Sequence, residues 1–286
     1  MRFVPLVAAF AFLVASCTGT EPIDTSTTIT SSTTTTTQAS DTPACLSGEL
    51  PFVEEGTVAA LDSPGRDARA IAGIRWDPLE GCERVEIEFL SASGAPATRI
   101  GPVGVSMLSD AGIVRVTLSD DVVDSAVADS TLNGTLVDRW FVVEDSEDGL
   151  TIDLHLNERA AARAFTTTSP ARLVIDLRGT GDDLPLAKPL SDGGVVLLSP
   201  QAGVGLYPLQ VAGYAAPDVD AVRLRLTDSA EISIDRAVST LSTTHVWRAY
   251  SAALSDGPSG SVLLLVGTVN DVGEPVFTIE VPLDLP

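Results

Sequence analysis

Two histidines and 39 acidic residues bound the chemistry open to this 286-residue chain. His155 follows Asp153 by two places, and residues two apart on a strand share a face. The pair could therefore serve as a general base tuned by a carboxylate. A nucleophile would still be needed, and Ser and Thr are too plentiful to nominate one. The run Leu150-Thr151-Ile152-Asp153-Leu154-His155-Leu156 turns its four aliphatic residues to a core and predicts that Asp153 and His155 face solvent. His245 and Trp247 have the same spacing and would form a small platform if their segment is a strand; packing around Trp247 is the plainer expectation.

The acid clusters raise the question of calcium, which takes loop oxygens. Asp120-Asp121 with Asp124 is one candidate, and Asp145-Ser146-Glu147-Asp148-Gly149 is the other. The second lacks the Asp-x-Asp-x-Asp-Gly order and distal Glu of a calcium loop. It reads instead as a polar hairpin tip, with Asp148-Gly149 as the turn. Paired catalytic carboxylates cannot be chosen from 39 acids without geometry. No Gly-x-Ser-x-Gly, His-Glu-x-x-His, Walker loop or dinucleotide fingerprint opening a helix is present. Gly179-Thr180-Gly181 and Gly203-Val204-Gly205 read as turns, as does Asn133-Gly134-Thr135, which has glycosylation-acceptor spacing. The expectation is a chain with no catalytic residues, no metal and no cofactor. Trp76, Trp140 and Trp247 lie in strand-like surroundings and are expected mostly in cores. Any wall binding would then run on polar side chains and on Arg66, Arg69 and Arg99.

The elements that must hold these residues are strands. From residue 46 onward, runs of 5 to 8 residues with apolar alternation are bounded by Gly, Pro, Asp or Ser. Arg84 to Phe89, Gly112 to Leu118, Ala171 to Leu177, Ala221 to Leu226, Val262 to Val266 and Val276 to Val281 all have this form. Only the Ala-rich segment Asn157 to Phe165 could pass for a helix. A polar, Pro-bearing stretch without period marks a linker at 180–192. The expected fold is all-β: two tandem β-sandwich domains, 46–179 and 193–286, behind a disordered Thr-rich stalk. Residues 46–179 carry 23 acids and 11 bases and residues 193–286 carry 10 and 4, so the acidity is spread over both and forms no patch.

The amino-terminal segment is an address. Arg2 precedes an apolar run from Phe3 to Val14 broken only by Pro5, too short to span a bilayer. Leu13-Val14-Ala15-Ser16-Cys17 resembles a bacterial lipobox, which implies a signal peptide at 1–16 and lipidation of Cys17. Residues 18–42 hold twelve Thr and four Ser with no apolar period, so 17–45 is read as a flexible tether. Such a tether would hold the first domain on the order of 25–30 Å from the anchor. Removing Cys17 leaves Cys45 and Cys82, an even pair expected to bridge outside the cytoplasm.

Two stretches resemble known families. Arg75, Cys82-Glu83-Arg84-Val85-Glu86-Ile87-Glu88-Phe89 and Ser169-Pro170-Ala171-Arg172-Leu173-Val174-Ile175-Asp176-Leu177 resemble the AMIN-like domain of actinobacterial lipoproteins, over about 57–179. Glu83 stands where that family usually has Asp, and Cys82 where an aromatic is common. Val195 to Leu198, Ser199-Pro200-x-x-Gly203, Tyr207-Pro208-Leu209-Gln210-Val211-x-Gly213, Trp247-x-x-Tyr250 and Asp271-x-Gly273 resemble the immunoglobulin-like domain of bacterial spore germination proteins, over about 193–286. Tyr250 takes a slot where Phe is frequent, and its hydroxyl needs a partner. The resemblances imply two β-sandwiches, the first of a kind that localises envelope machinery, in some cases by contacting peptidoglycan.

The expected function is a non-enzymatic envelope lipoprotein, extracytoplasmic and lipid-anchored to the outer face of the cell membrane. It would present its sandwiches to a cell-wall or protein partner. A glycan-binding module is the alternative, and a wall-remodelling hydrolase a weaker one. With 39 acids against 17 bases, the chain repels nucleic acid and gains nothing electrostatically from an anionic membrane.

Overall fold

Aliphatic and β-branched residues at every second position make the chain almost wholly strand. The computed structural model describes residues 45–286 apart from 64, 146–148, 183–185, 193, 229–232 and 241–244. Cys17, the signal segment, the tether to residue 44 and the tip of the acidic hairpin lie outside the described residues. Those described contain no α-helix, only a 3-10 turn at Ser109–Ala111.

The first half opens with β1 (Gly56–Leu61), β2 (Ala68–Leu79), β3 (Cys82–Ser91), β4 (Val103–Leu108) and β5 (Ile113–Leu118). It continues through short β6 (Asp124–Ser125) and β7 (Asp129–Thr131) to β8 (Val137–Asp145) and β9 (Gly149–Leu156). β10 (Ala160–Thr167) and β11 (Arg172–Gly179) complete it. The second half holds β12 (Leu190–Asp192), β13 (Val195–Ser199), β14 (Gly203–Val204), β15 (Leu209–Ala215) and β16 (Ala221–Asp228). β17 (Ser233–Ser239), β18 (Trp247–Leu254), β19 (Gly260–Val269) and β20 (Pro275–Leu285) end the chain.

These strands form three sheets. One runs β10-β11-β3-β2-β6 and another β14-β20-β19-β16-β17. The third, β1-β4-β5-β9-β8-β18-β15-β13-β12, passes through both halves, joined where β18 pairs parallel with β8 at Trp247↔Val143 and Arg248↔Glu144. Each smaller sheet packs on its half of the long one in the manner of a sandwich. One core takes Ile71, Ile87, Phe89, Val105, Ile152 and Ile175, and the other takes Val211, Leu224, Tyr250, Leu264 and Val281. A third cluster of Phe141, Val143, Val196, Tyr214 and Trp247 lies on the far side of the long sheet and belongs to both halves. The described residues accordingly group as one compact unit.

One local expectation is corrected. The segment 157–165 is no helix: β10 pairs antiparallel with β11 from Ala160↔Gly179 to Thr167↔Arg172. Its alanines are small because this strand is crowded, with Val53 bridged to Ala162 and the chain from Cys45 passing over Arg163. Described residues of the 180–192 stretch make contacts with the body. Leu186 packs on the first core, Lys188 donates to Asn157 Oδ1 at 3.0 Å, and residues 190–192 become β12.

The motif residues do structural work. Asp176 is fully buried and receives Arg84 Nε at 2.7 Å and Arg163 Nη2 at 3.0 Å. Gly213 lies opposite Tyr250, whose ring fills the space a side chain at 213 would need, and the Tyr250 hydroxyl donates to Val196 O at 3.2 Å. Cys45 and Cys82 are disulfide-bonded with Cα atoms 6.3 Å apart, both buried. Closing a loop across 37 residues is expected to contribute about 2–4 kcal/mol. Urea denaturation of Cys82→Ala against the oxidised protein should show a loss of that size, and an unchanged midpoint would contradict it.

Candidate functional site

Three places collect the residues able to act on or bind something. The first is the joint between halves, where β9 carries Thr151, Asp153 and His155 on the face away from the first core. The expectation that Asp153 and His155 face solvent is overturned, since they are 0% and 4% exposed. Alternation identifies their shared face correctly, but Phe141 and Tyr214 cover it. Asp153 accepts Arg115 Nε and Nη2 at 2.8 and 2.7 Å and also the Tyr214 hydroxyl of the second half. Burial raises its pKa, and Arg115 works against that rise. His155 lies 4.9 Å from the Phe141 ring and 6.2 Å from that of Tyr214, centroid to centroid. Burial, with the nearby charges of Arg139 and Arg115, lowers its pKa to about 3, and its Nε2 has no hydrogen-bond partner among the described residues. A neutral imidazole sealed in this way does not reach a substrate. Around it Trp247 Nε1 donates to Asp129 Oδ2 at 2.7 Å and Arg248 Nη2 to Glu144 Oε2 at 2.9 Å. His245 is exposed in a bend ahead of β18 while Trp247 is buried, so the two form no shared platform.

The second place is a cleft of about 460 Å³ at one end of the first half, lined by Arg66, Asp67, Thr98, Arg99 and Ser169. Arg66 and Arg99, two of the three arginines expected to contact a wall, are brought together there. Arg66 Nε meets Asp121 Oδ2 at 2.6 Å, and Arg69 meets the other oxygen at 2.9 Å, so Asp121 is committed to guanidinium groups. The Asp67 carboxylate accepts the Arg99 amide at 2.8 Å and the Thr98 amide at 3.0 Å, which hold its pKa below the usual range. Asp124 accepts the Ser125 amide at 2.8 Å. Among the described residues no three His, Cys, Asp or Glu are placed to hold a metal ion.

The third is a cleft of about 420 Å³ beside the disulfide, between the β2–β3 hairpin and the loop 133–136, with Trp76 in its wall. Trp140 and Trp247 are buried at 4% and 8% exposure, whereas Trp76 is only partly covered. No protein-family model, curated protein or solved structure matches the chain. These three places are therefore weighed on their own geometry.

For several of the residues that matter, the sequence shows the position but not the burial or the partner. Asp176 interrupts the apolar run Leu173-Val174-Ile175-Asp176-Leu177, and a charge in a buried strand is a signal that it has a partner. Glu83 carries the same mark, sharing the buried face of Val85, Ile87 and Phe89, whereas Arg163 and Tyr214 do not. Their partners come from segments distant in the chain.

Proposed function

We propose that this protein is a non-enzymatic envelope lipoprotein, held at Cys17 by a diacylglycerol and presenting its β body to a partner in the wall layer. The observation that carries this reading is the anchorage of the body at its tether end. Cys45 is fully buried and bonded to Cys82 of β3, and Arg163 Nη2 donates to the carbonyls of Cys45, at 3.0 Å, and of Ser47. Arg163 is itself paired with Asp176. A point where a membrane-anchored chain enters a folded domain benefits from such a fixed attachment. The resemblance to envelope AMIN-like and immunoglobulin-like domains supports the same reading. So does the enclosure of Asp153 and His155, which keeps that pair from general-base work.

Two acyl chains suffice for stable membrane residence where an acidic surface supplies no attraction. Replacing Cys17 by Ala should move the protein from the membrane fraction to the medium, read by immunoblot. Continued retention of Cys17→Ala in the membrane fraction would refute the anchor.

A further inference from the structure

The cleft at Trp76 is built differently from the other two. Trp76 and Pro78 lie on one face of β2, Leu79 follows at 39% exposure, and all three border the opening. The indole is held in place: Trp76 Nε1 donates to Glu83 Oε2 at 2.8 Å. Glu83 is only 4% exposed, and its carboxylate also accepts the amides of Leu136 at 2.8 Å and Val137 at 3.1 Å. That one group therefore locks the tryptophan and the opposite wall together. The facing loop is pinned too, since Asn157 Nδ2 donates to Gly134 O at 3.0 Å. Gly134 is required there, because a Cβ would come within 2.7 Å of Glu83 Oε2.

While the frame is fully hydrogen-bonded, the lining is not. The side chains of Asn133, Thr135 and Glu158 border the cleft without a protein hydrogen-bond partner among the described residues. A fixed aromatic wall opposite uncommitted amide, hydroxyl and carboxylate groups matches a ligand with one apolar face and a rim of hydroxyls. A pyranose ring has that form. The cleft's lining carries two carboxylates, Glu83 and Glu158, and no Lys or Arg among the described residues, so an anionic sugar is disfavoured.

We infer that the Trp76 cleft is a saccharide-binding site that takes an uncharged pyranose residue, stacked on the indole and hydrogen-bonded by Asn133, Thr135 and Glu158. This rests on the binding-protein reading above and specifies the ligand of that binding. It does not depend on the lipid anchor.

The test uses the full chain in a detergent without a sugar headgroup, labelled so that its three indole N–H signals are visible by NMR. N-acetylchitotetraose and cellotetraose are the uncharged probes and tetragalacturonate the anionic one. Trp76→Phe assigns the Trp76 signal. That signal should shift saturably with at least one uncharged probe, while those of Trp140 and Trp247 and the tetragalacturonate titration stay flat. Trp76→Ala should weaken binding by about tenfold or more. Because that variant disturbs the Glu83 frame, Asn133→Ala and Glu158→Gln, both at the surface, are the decisive changes, each expected to weaken binding about threefold. A Trp76 signal unmoved by millimolar amounts of both uncharged probes would overturn the site. Unchanged affinity in the Asn133→Ala, Glu158→Gln double variant would do the same, as would equal binding of tetragalacturonate. Any of these results leaves the Cys17→Ala fractionation unaffected, so the two readings fail separately.

Discussion

Asp176→Asn is expected to destabilise the body by about 3–5 kcal/mol, the range for breaking a buried ion pair by removing one partner. The carboxylate is 0% exposed and receives four N–H bonds, two from Arg84 at 2.7 and 3.0 Å and two from Arg163 at 3.1 and 3.0 Å. Asn preserves the shape but removes the charge. Arg84 is 18% exposed and can turn part of its guanidinium to water, whereas Arg163 is 4% exposed and cannot. The uncompensated charge therefore falls on Arg163, the residue that also holds Cys45 O and Ser47 O. Beyond the lower urea midpoint, amide exchange should accelerate around residues 45–53, where the chain enters the body. Replacing the partners together, as Asp176→Leu with Arg163→Met, should recover part of the loss, since the buried Arg163 charge is gone and Arg84 can reach water, while the Cys45 and Ser47 carbonyls lose their donor. A loss below about 1 kcal/mol for Asp176→Asn would show that the pair is not the internal strut described here.

Acid should weaken the joint between halves through His155. In the unfolded chain the imidazole takes up its proton near pH 6.5, but in the joint it does so only near pH 3. Across that window the unfolded state binds more protons, so stability falls as the pH drops. The contribution is complete above about pH 6.5 and gone by about pH 3, amounting to on the order of 5 kcal/mol. The charged groups facing the ring are Arg139 and Arg115, which oppose protonation, and Asp138, which favours it. Asp153 acts in the other direction. Its raised pKa means that the folded state gains a proton first, which offsets part of the loss at the acid end. Comparison with His155→Leu separates the two, because Asp153 is common to both proteins. Between pH 7 and 5, the Leu variant should lose about 2 kcal/mol less than the parent in urea unfolding. Parallel losses in the two proteins would remove His155 as the cause.

The strands of this protein were legible because alternation is a local property. Leu150, Ile152, Leu154 and Leu156 all point into the first core, and the Arg84 to Phe89 and Ala171 to Leu177 runs became β3 and β11, paired with each other. The one helix candidate failed for a reason also rooted in packing. Alanine favours helices in isolation, but between Ala160 and Ala164 it serves as the small residue in a strand covered on both faces. Gly203-Val204, expected as part of a turn, is instead the short strand β14, because it finds a parallel partner in β20 far along the chain.

What stood two residues apart in sequence could be assigned to a face, but not to an environment. Asp153 and His155 share a side of β9 as their spacing requires, yet whether that side meets water depends on Tyr214, 61 residues from Asp153 along the chain. The tryptophans teach the same lesson in reverse. Three similar strand settings held two buried rings and one, Trp76, left partly open because a loop 57 residues later forms a wall and not a lid.

The amino-acid sequence alone therefore determined the all-β character, since period-two patterning needs only neighbours to express itself. It also supplied the candidate chemistry: two histidines, the acids and the arginines. Tertiary structure decided which of these stay available. It sealed His155 and Asp153 in the joint, spent Asp121 on Arg66 and Arg69, and left Asn133, Thr135 and Glu158 unpaired beside Trp76. The physical reason is that burial and hydrogen-bond satisfaction depend on contacts between distant segments, which no local pattern encodes.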